Sequence, residues 1–419
     1  MTPEVKERIE QIRHGNVPEG YKKTKAGILP ADWTVCTIGD CLERVERPVD
    51  VQADEMYTQI GIRSHGKGLF YKEPVTGASL GNKAVFWIEP DCFVLNIVFA
   101  WEQAIGKTTQ NEVGMIGSHR FPMYRPIDGR VDVDYLITYM LTKRGKDILE
   151  AASPGGAGRN RTLGQDRFLK SKIILPSPDE QRRIAEVITT QDKVIELKEK
   201  LLLEKQLQKK YLMQQLLTGK KRLPGFDGEW KKVKLKKLLK ERKTYSPKGA
   251  EYPHVTLSTE GIYAKSERYD RDHLVKNDDK EYKITHRGDI CYNPANLKFG
   301  VICMNNFGDA IFSPIYVTFK VVGKVCPEFL AAYLMRWDFI NAVRKYEEGT
   351  VYERMAVKPE DFLKFEMMLP PYEEQVAIAE ILIVADREIE LLRQDLEQEK
   401  RKKKALMQLL LTGIVRVNV

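Results

Sequence analysis

The chain has 419 residues, 42% of them hydrophobic, which is enough for two to four packed domains and excludes a disordered polypeptide. Its six cysteines are scattered with no C-x-x-C or paired Cys/His spacing, arguing against a structural zinc site and for a reducing compartment. The formal net charge is +9, and no apolar run approaches the roughly 18 residues needed to span a bilayer, so no membrane association is expected and the expected address is the cytoplasm.

In chain order, residues 1–32 read as an N-terminal helix and lead-in. Thr2 can cap the helix, Pro3 suits its first turn, Val5, Ile9 and Ile12 share a face, and Gly15 ends it. A globular α/β head is expected over 33–174. It contains two glycine-rich loops with donors suited to base edges or phosphates. Gly61-Ile62-Arg63-Ser64-His65-Gly66-Lys67-Gly68 offers Arg63, Ser64, His65 and Lys67; Ser153 to Gly158 leads into Arg159, Asn160 and Arg161. Residues 175–219 read as a long helix with prolines before it, acids in its first turn and Gly219 as its left-handed cap.

A basic linker follows at 220–229, and a second head is expected over 230–368. From Lys220 to Lys243 there are eleven Lys/Arg against Asp227, Glu229 and Glu241, a local charge of 11 − 3 = +8. In this head Tyr352 and Arg354 occupy the place of the first head's second loop. Lys298 and the segment 280–283 are further basic candidates. Residues 369–419 are a second long helix and tail, with the basic run Lys400 to Lys404 on the helix. Clustered charge of this kind suits a polyanion such as nucleic acid.

The two halves are one pattern written twice. LPSPDEQRRIAEVI (175–188) returns as LPPYEEQVAIAEIL (369–382), and YLMQQLLTG (211–219) as ALMQLLLTG (405–413). Of the 45 positions in 175–219 and 369–413, 21 are identical at a shift of 194. Phe168 falls over Phe362 and Gly155 over Gly349, while Trp33 corresponds to Trp230 at a shift of 197. Trp33 and Trp230 are expected to be packing anchors, since scaffold is what the halves share. Such duplication fixes architecture: a shared scaffold carrying two different heads.

At ~1.5 Å per residue each long helix would reach about 60 Å. Ile184, Ile188, Ile195, Leu202, Leu212 and Leu216 make an apolar seam on the first. Ile378, Leu382, Ile389, Leu396, Leu406 and Leu410 make one on the second. Such seams require a partner helix, and two equivalent helices most economically satisfy each other as an antiparallel coiled coil with a pseudo-two-fold axis. Polar interruptions such as Gln191 and Glu399 could set register; the plainer expectation is exposed positions where heads or other subunits pack.

No catalytic or metal-binding residue is identified. Leu369-Pro370-Pro371-Tyr372 has leucine where an amino-methylating enzyme needs a hydrogen-bond acceptor, and Asn293-Pro294-Ala295-Asn296 lacks the second proline and the aromatic residue. Asp179 and Glu196 match a nuclease spacing but would stand ~25 Å apart on one helix. Gly106-Lys107-Thr108 has Trp101 in place of the first glycine of a phosphate-binding loop.

The architecture resembles the specificity (S) subunit of type I restriction–modification enzymes. The resemblance is carried by YKKTKAGILPADW (21–33), MQQLLTGKKRLPGFDGEW (213–230), GDICYN (288–293), FLK before each LP, and the paired helix motifs; it spans essentially the whole chain. It implies two target recognition domains, each reading one half of a split, asymmetric sequence on double-stranded DNA, and a mixed α/β fold. It also implies that the helices act as spacer and docking surface for two methyltransferase (M) subunits, with restriction/translocase (R) subunits joining. S-adenosylmethionine, ATP and magnesium would sit on those partners, and this chain would hold no cofactor and catalyse nothing alone. Alternative readings are a coiled-coil DNA adaptor without base preference, or a divergent methyltransferase or nuclease.

Overall fold

The computed structural model describes residues 2–24, 27–81, 83–155, 161–247, 251–265, 281–346 and 356–417. The chain divides into two compact units, Met1–Lys198 with Asp395–Val419, and Glu199–Gln394.

In the first unit, helix α1 (Pro3–Arg13) starts at Thr2, whose side chain makes no capping hydrogen bond, and Gly15 takes φ +78° behind it. The head holds the short helices α2 (Gly77–Leu80), α3 (Val133–Met140), α4 (Lys143–Ala152) and α5 (Gln165–Lys170). Its central sheet is antiparallel, in the order Ile105–Lys107, Phe93–Leu95, Met123–Pro126, Leu42–Val45. Strand Lys172–Leu175 pairs antiparallel with Thr34–Thr37 and runs into helix α6 (Pro178–Leu216).

The second unit repeats this plan. It contains α7 (Pro327–Leu334), α8 (Trp337–Val343), α9 (Pro359–Lys364) and the first part of α10 (Tyr372–Leu410). Its sheet runs Leu239–Glu241, Val317–Val321, Ile290–Tyr292, Ile302–Met304, the same order read from the opposite edge. Strand Glu366–Leu369 pairs with Lys231–Lys234 before entering α10, as its counterpart does before α6. The halves therefore share a sheet topology that their head sequences barely betray.

Each core joins head to helices. In the first unit Phe93, Tyr124 and Phe168 pack with Ile184 and Ile188 of α6 and Leu410 of α10. In the second, stacked Tyr292, Phe319 and Phe362 pack with Leu216 of α6 and Ile378 and Leu382 of α10. Burying a side chain of this size contributes roughly 1.5–3 kcal/mol, so the helices are part of each domain's stability.

The two long helices pair antiparallel, the seam residues all buried or half-buried. In the first unit Gln191 donates to Glu399 at 2.7 Å, Lys198 reaches Asp395 at 2.6 Å and Glu399 at 3.0 Å, and Lys403 meets Asp192 at 2.5 Å. In the second, Lys205 meets Glu388 at 2.7 Å and Lys209 bonds Asp386. This corrects the expectation that the polar interruptions are merely exposed: Gln191 is buried, and its partner is the other helix's interruption. A buried amide satisfied by one carboxylate penalises any shifted register, because it would then lose its partner.

The first-turn acids do more than face the helix dipole. Glu180 and Glu374 are fully buried, and so are Gln181 and Gln375 beside them. The Gln181 amide donates to the Pro176 and Arg130 carbonyls while its oxygen accepts from the Asp132 backbone N–H. Gln375 likewise donates to the Pro370 carbonyl and accepts from Cys326 N–H. The repeated Glu-Gln pair thus fixes where each helix leaves its head.

Candidate nucleic-acid interface

The loop between strands Ile60–Ile62 and Leu69–Tyr71 carries four of the sequence candidates. Exposed Arg63 donates to the Leu69 carbonyl at 2.8 Å, and its guanidinium lies 5.0 Å from the Phe70 ring centroid. That ring crosses the strand at Gly61, where a Cβ would stand 2.2 Å from it, so any side chain there would push the ring aside. His65 adopts φ +61° and is exposed, as is Lys67, while Ser64 is half-buried.

This loop leans on a second one that sequence reasoning missed, residues 96–104. The Ser64 hydroxyl donates to the Glu102 carboxylate at 2.9 Å, and the His65 and Gly66 backbone N–H groups donate to the Glu102 and Gln103 carbonyls. Arg161 places its guanidinium 5.5 Å from the Trp101 ring centroid. Ser64, His65 and Arg161, remote in sequence, therefore converge on Trp101, Glu102 and Gln103. Beside them a cleft of about 490 Å³ is lined by Ser64, Phe70, Asn96, Phe99, Glu102 and Phe121 among others.

The second head contains the same loop at residues 293–301. In both, a buried asparagine follows the central strand and accepts through its side-chain oxygen from the N–H two residues on, Val98 for Asn96 and Ala295 for Asn293. Asn96 N–H donates to the Ala104 carbonyl, and Asn293 N–H to Val301. A 3₁₀ turn follows, Ala100–Glu102 or Leu297–Phe299, closed by a left-handed residue, Gln103 at φ +57° or Gly300 at φ +80°. Gln103 tolerates that conformation while its side chain is held by the Met140 carbonyl. Lys298 sits on the second loop with its amine 5.3 Å from the Phe299 ring, and Phe299 is 59% exposed. The only sequence trace of this correspondence is one asparagine at a shift of 197.

Arg159, Asn160, Tyr352 and Arg354 lie outside the described residues, as does Lys280. Lys283 is not an available cation: it is buried, with its amine 3.2 Å from Glu241. Nor does the basic stretch 220–243 count in full. Arg222, Lys232, Lys234, Arg242 and Lys243 are paired with Glu374, Glu366, Glu366, Asp289 and Glu241. Lys220, Lys221, Lys231, Lys236, Lys237 and Lys240 remain exposed.

Both tryptophans are anchors. Trp33 is fully buried and donates to Glu180 at 3.1 Å; half-buried Trp230 donates to Glu374 at 3.1 Å. Each carboxylate also takes an arginine, Arg416 on Glu180 and Arg222 on Glu374, both at 2.6–2.7 Å through two nitrogens. The carboxylate partners, Glu180 first and Asp32 second, hold the Arg416 guanidinium more firmly protonated than usual.

Among the described residues no cluster of three or more His, Cys, Asp or Glu could hold a metal ion, and all six cysteines are free thiols. No helix of the described residues is long and apolar enough to cross a membrane. What the geometry presents is a pair of matched loop frames bearing unlike side chains, on a duplicated helical scaffold. That is a recognition module built twice.

The family model for the type I restriction modification DNA specificity domain matches residues 30–205 and again 227–400, so the chain belongs to that family of specificity subunits. Two relatives from Methanocaldococcus jannaschii, the MjaX and MjaVIII type I restriction enzyme specificity subunits (the first provisionally so named), are 25% and 24% identical. Each alignment covers 95% of this chain, and 97% and 96% of the relative. The solved HsdS subunit of Thermoanaerobacter tengcongensis superposes with a TM-score of 0.53 at 18% identity, covering 92% of this chain and 98% of that one. The type I S subunit of M. genitalium gives 0.54 at 10% identity, with 92% and 96% covered, and shares the fold.

Proposed function

We propose that this chain is the sequence reader of a type I restriction–modification complex, binding double-stranded DNA through one half-site per head and docking methyltransferase and restriction subunits on its helices. The observation that carries this reading is the repeated loop frame with unlike crowns: two heads of one topology that differ in the side chains offered to a ligand. Such a pair suits an asymmetric target, because base edges are told apart by the donors and acceptors facing them. The exposed cations at 220–240 suit sequence-independent phosphate contact, which supplies affinity without information.

Docking of two equivalent partners is supported by a second observation. Leu197 and Leu391 occupy the same repeat position on α6 and α10, are identical, and are 66% and 58% exposed. Large apolar side chains held in water at matched places suit two copies of one partner surface. Catalysis, with S-adenosylmethionine, ATP and magnesium, then belongs to the partners, in a cytoplasmic complex.

The test is a genome-wide map of methylated adenines in cells producing this chain together with a methyltransferase subunit that copurifies with it. A split motif with two unlike halves and a fixed gap is expected. An uninterrupted motif, or methylation without a motif, would overturn the reading.

A further inference from the structure

We propose that the twin loops 96–104 and 293–301 are the base-reading elements of the two heads, and that they read by different chemistry: Glu102 accepts a hydrogen bond from an exocyclic base amine, whereas Phe299 packs on a thymine methyl group. This rests on the reading of the chain as a sequence-specific DNA binder and assigns its specificity to particular side chains.

The frame argument comes first. Both loops leave the strand second from one edge of the head's central sheet, Phe93–Leu95 or Ile290–Tyr292, are pinned by a buried asparagine accepting from the N–H two residues on, and turn through a left-handed residue. What is buried is alike, and what is presented is not. Trp101, Glu102 and Gln103 crown the first loop; Lys298, Phe299 and Gly300 crown the second. A loop serving only the fold has no reason to keep its frame and exchange its entire crown for side chains of opposite character. A loop that must meet two different half-sites does.

The chemistry of each crown then selects what it can meet. Glu102 is an acid in a cleft also lined by Lys72, and the loop whose Ser64 it accepts from carries the exposed cations Arg63 and Lys67. Among the described residues it has no ion pair; its carboxylate takes one side-chain hydrogen bond, from Ser64 to Oε2, and keeps acceptor capacity on Oε1. A carboxylate facing a phosphate backbone is repelled, so at such a surface it suits a donor on a base edge. In the major groove those donors are cytosine N4 and adenine N6. Its position is fixed from both sides, by Ser64 on the carboxylate and by His65 N–H on its carbonyl. The neighbouring Arg161 and Trp101 pair offers a cation and a ring beside it.

The second crown carries no acid. Phe299 is 59% exposed, a Cβ on Gly300 would stand 3.8 Å from the ring of Trp337, and Trp337 is itself 55% exposed. Two exposed aromatic rings, Phe299 on the loop and Trp337 at the start of α8, present an apolar surface, which in the major groove matches the C5-methyl group of thymine. Lys298, leaning on Phe299, supplies a phosphate contact without base preference.

The experiment is selection from a randomised duplex library by the full chain, with sequencing of the bound pool. The wild-type chain should yield two half-motifs. Glu102→Gln keeps the bond from Ser64 and adds a donor; it should cut the preference for adenine or cytosine at one position of one half-motif by about tenfold, and which base is lost identifies the amine. Phe299→Ala should remove a thymine preference in the other half only, Phe299→Leu should retain most of it, and Lys298→Ala should weaken binding of the whole pool with its motif unchanged. Thermal melting of each variant checks folding. If the wild type shows split half-motifs and both Glu102→Gln and Phe299→Ala reproduce them, the assignment to these loops is wrong while the DNA-reading role stands. If the wild type selects no motif, both fall.

Discussion

The two units are closed by the same three side chains, assembled along different routes. In the second unit, Arg222, Trp230 and Glu374 meet where a short continuous segment, 216–230, carries the arginine and the tryptophan together. In the first, Arg416 arrives behind α10 and joins Trp33 on the Glu180 carboxylate, with Asp32 as a further partner across 384 residues of sequence. Tyr21 donates to the Gly413 carbonyl at 2.7 Å and Arg8 to Ile414 at 3.1 Å, holding that junction by side chains alone. Where one unit uses eight residues of chain, the other uses non-covalent contacts between segments that nothing else ties locally. Loop-closure entropy makes the second arrangement the more dependent on its polar lock.

Arg416→Ala should therefore be the most damaging substitution. It strands a buried carboxylate and releases Asp32, costing roughly 3 kcal/mol, with Arg222→Ala costing less because the adjacent chain still confines Trp230. Hydrogen exchange followed separately in each unit checks this; equal losses would remove the distinction. Next come the reading frames: Asn96→Ala and Asn293→Ala should each cost about 1–2 kcal/mol, since the Val98 or Ala295 N–H loses its acceptor. Protection should fall in the mutated head alone, seen by exchange at 96–104 or 293–301.

Leu197→Glu and Leu391→Glu should leave melting within about 0.5 kcal/mol of wild type, as exposed positions do. Each should nevertheless reduce the number of copurifying methyltransferase subunits from two to one, read by native mass spectrometry. The smallest effect is a pH dependence confined to the first unit. Hydrogen bonds from Gln191, then from Lys198, hold the Glu399 carboxyl down to about 2, against an ordinary 4.5. A carboxyl depressed in the folded state stabilises fully above its unfolded value and loses that contribution as pH falls. Protection of the helix pair in this unit should decline between about pH 4.5 and 2, and Glu399→Gln should flatten the decline. The second unit has Lys205 at the equivalent place and should show no such Glu399-dependent step.

The sequence made the scaffold legible because helix pairing and capping repeat at fixed spacing: the seams, the caps at Gly219 and Gly413 and the buried Trp33 follow from pattern alone. The polar locks were harder to see. Glu180 and Glu374 read as first-turn acids facing a helix dipole, and nothing local reveals that Arg416 and Arg222, three residues beyond each capping glycine, return to them. Gln191 is a similar case, since its partner Glu399 lies 208 residues away. The twin loops were invisible because hydrogen bonds to backbone atoms define them and leave only one asparagine in common. Ser64, His65 and Arg161 stand out by composition and lie against the 96–104 loop, whereas Glu102 carries no such signal, an acid being the opposite of what a polyanion attracts.

All of this depends on α6 and α10 of one chain pairing with each other. The direct measurement is crosslinking of Lys205→Cys with Glu388→Cys, and separately of Asp192→Cys with Lys403→Cys, by a short bismaleimide. The background should lack Cys36 and Cys303, the two thiols that are not fully buried. With two differently tagged versions of the chain mixed before folding, both pairs should give crosslinked monomers. Crosslinks found only between differently tagged chains would contradict the account.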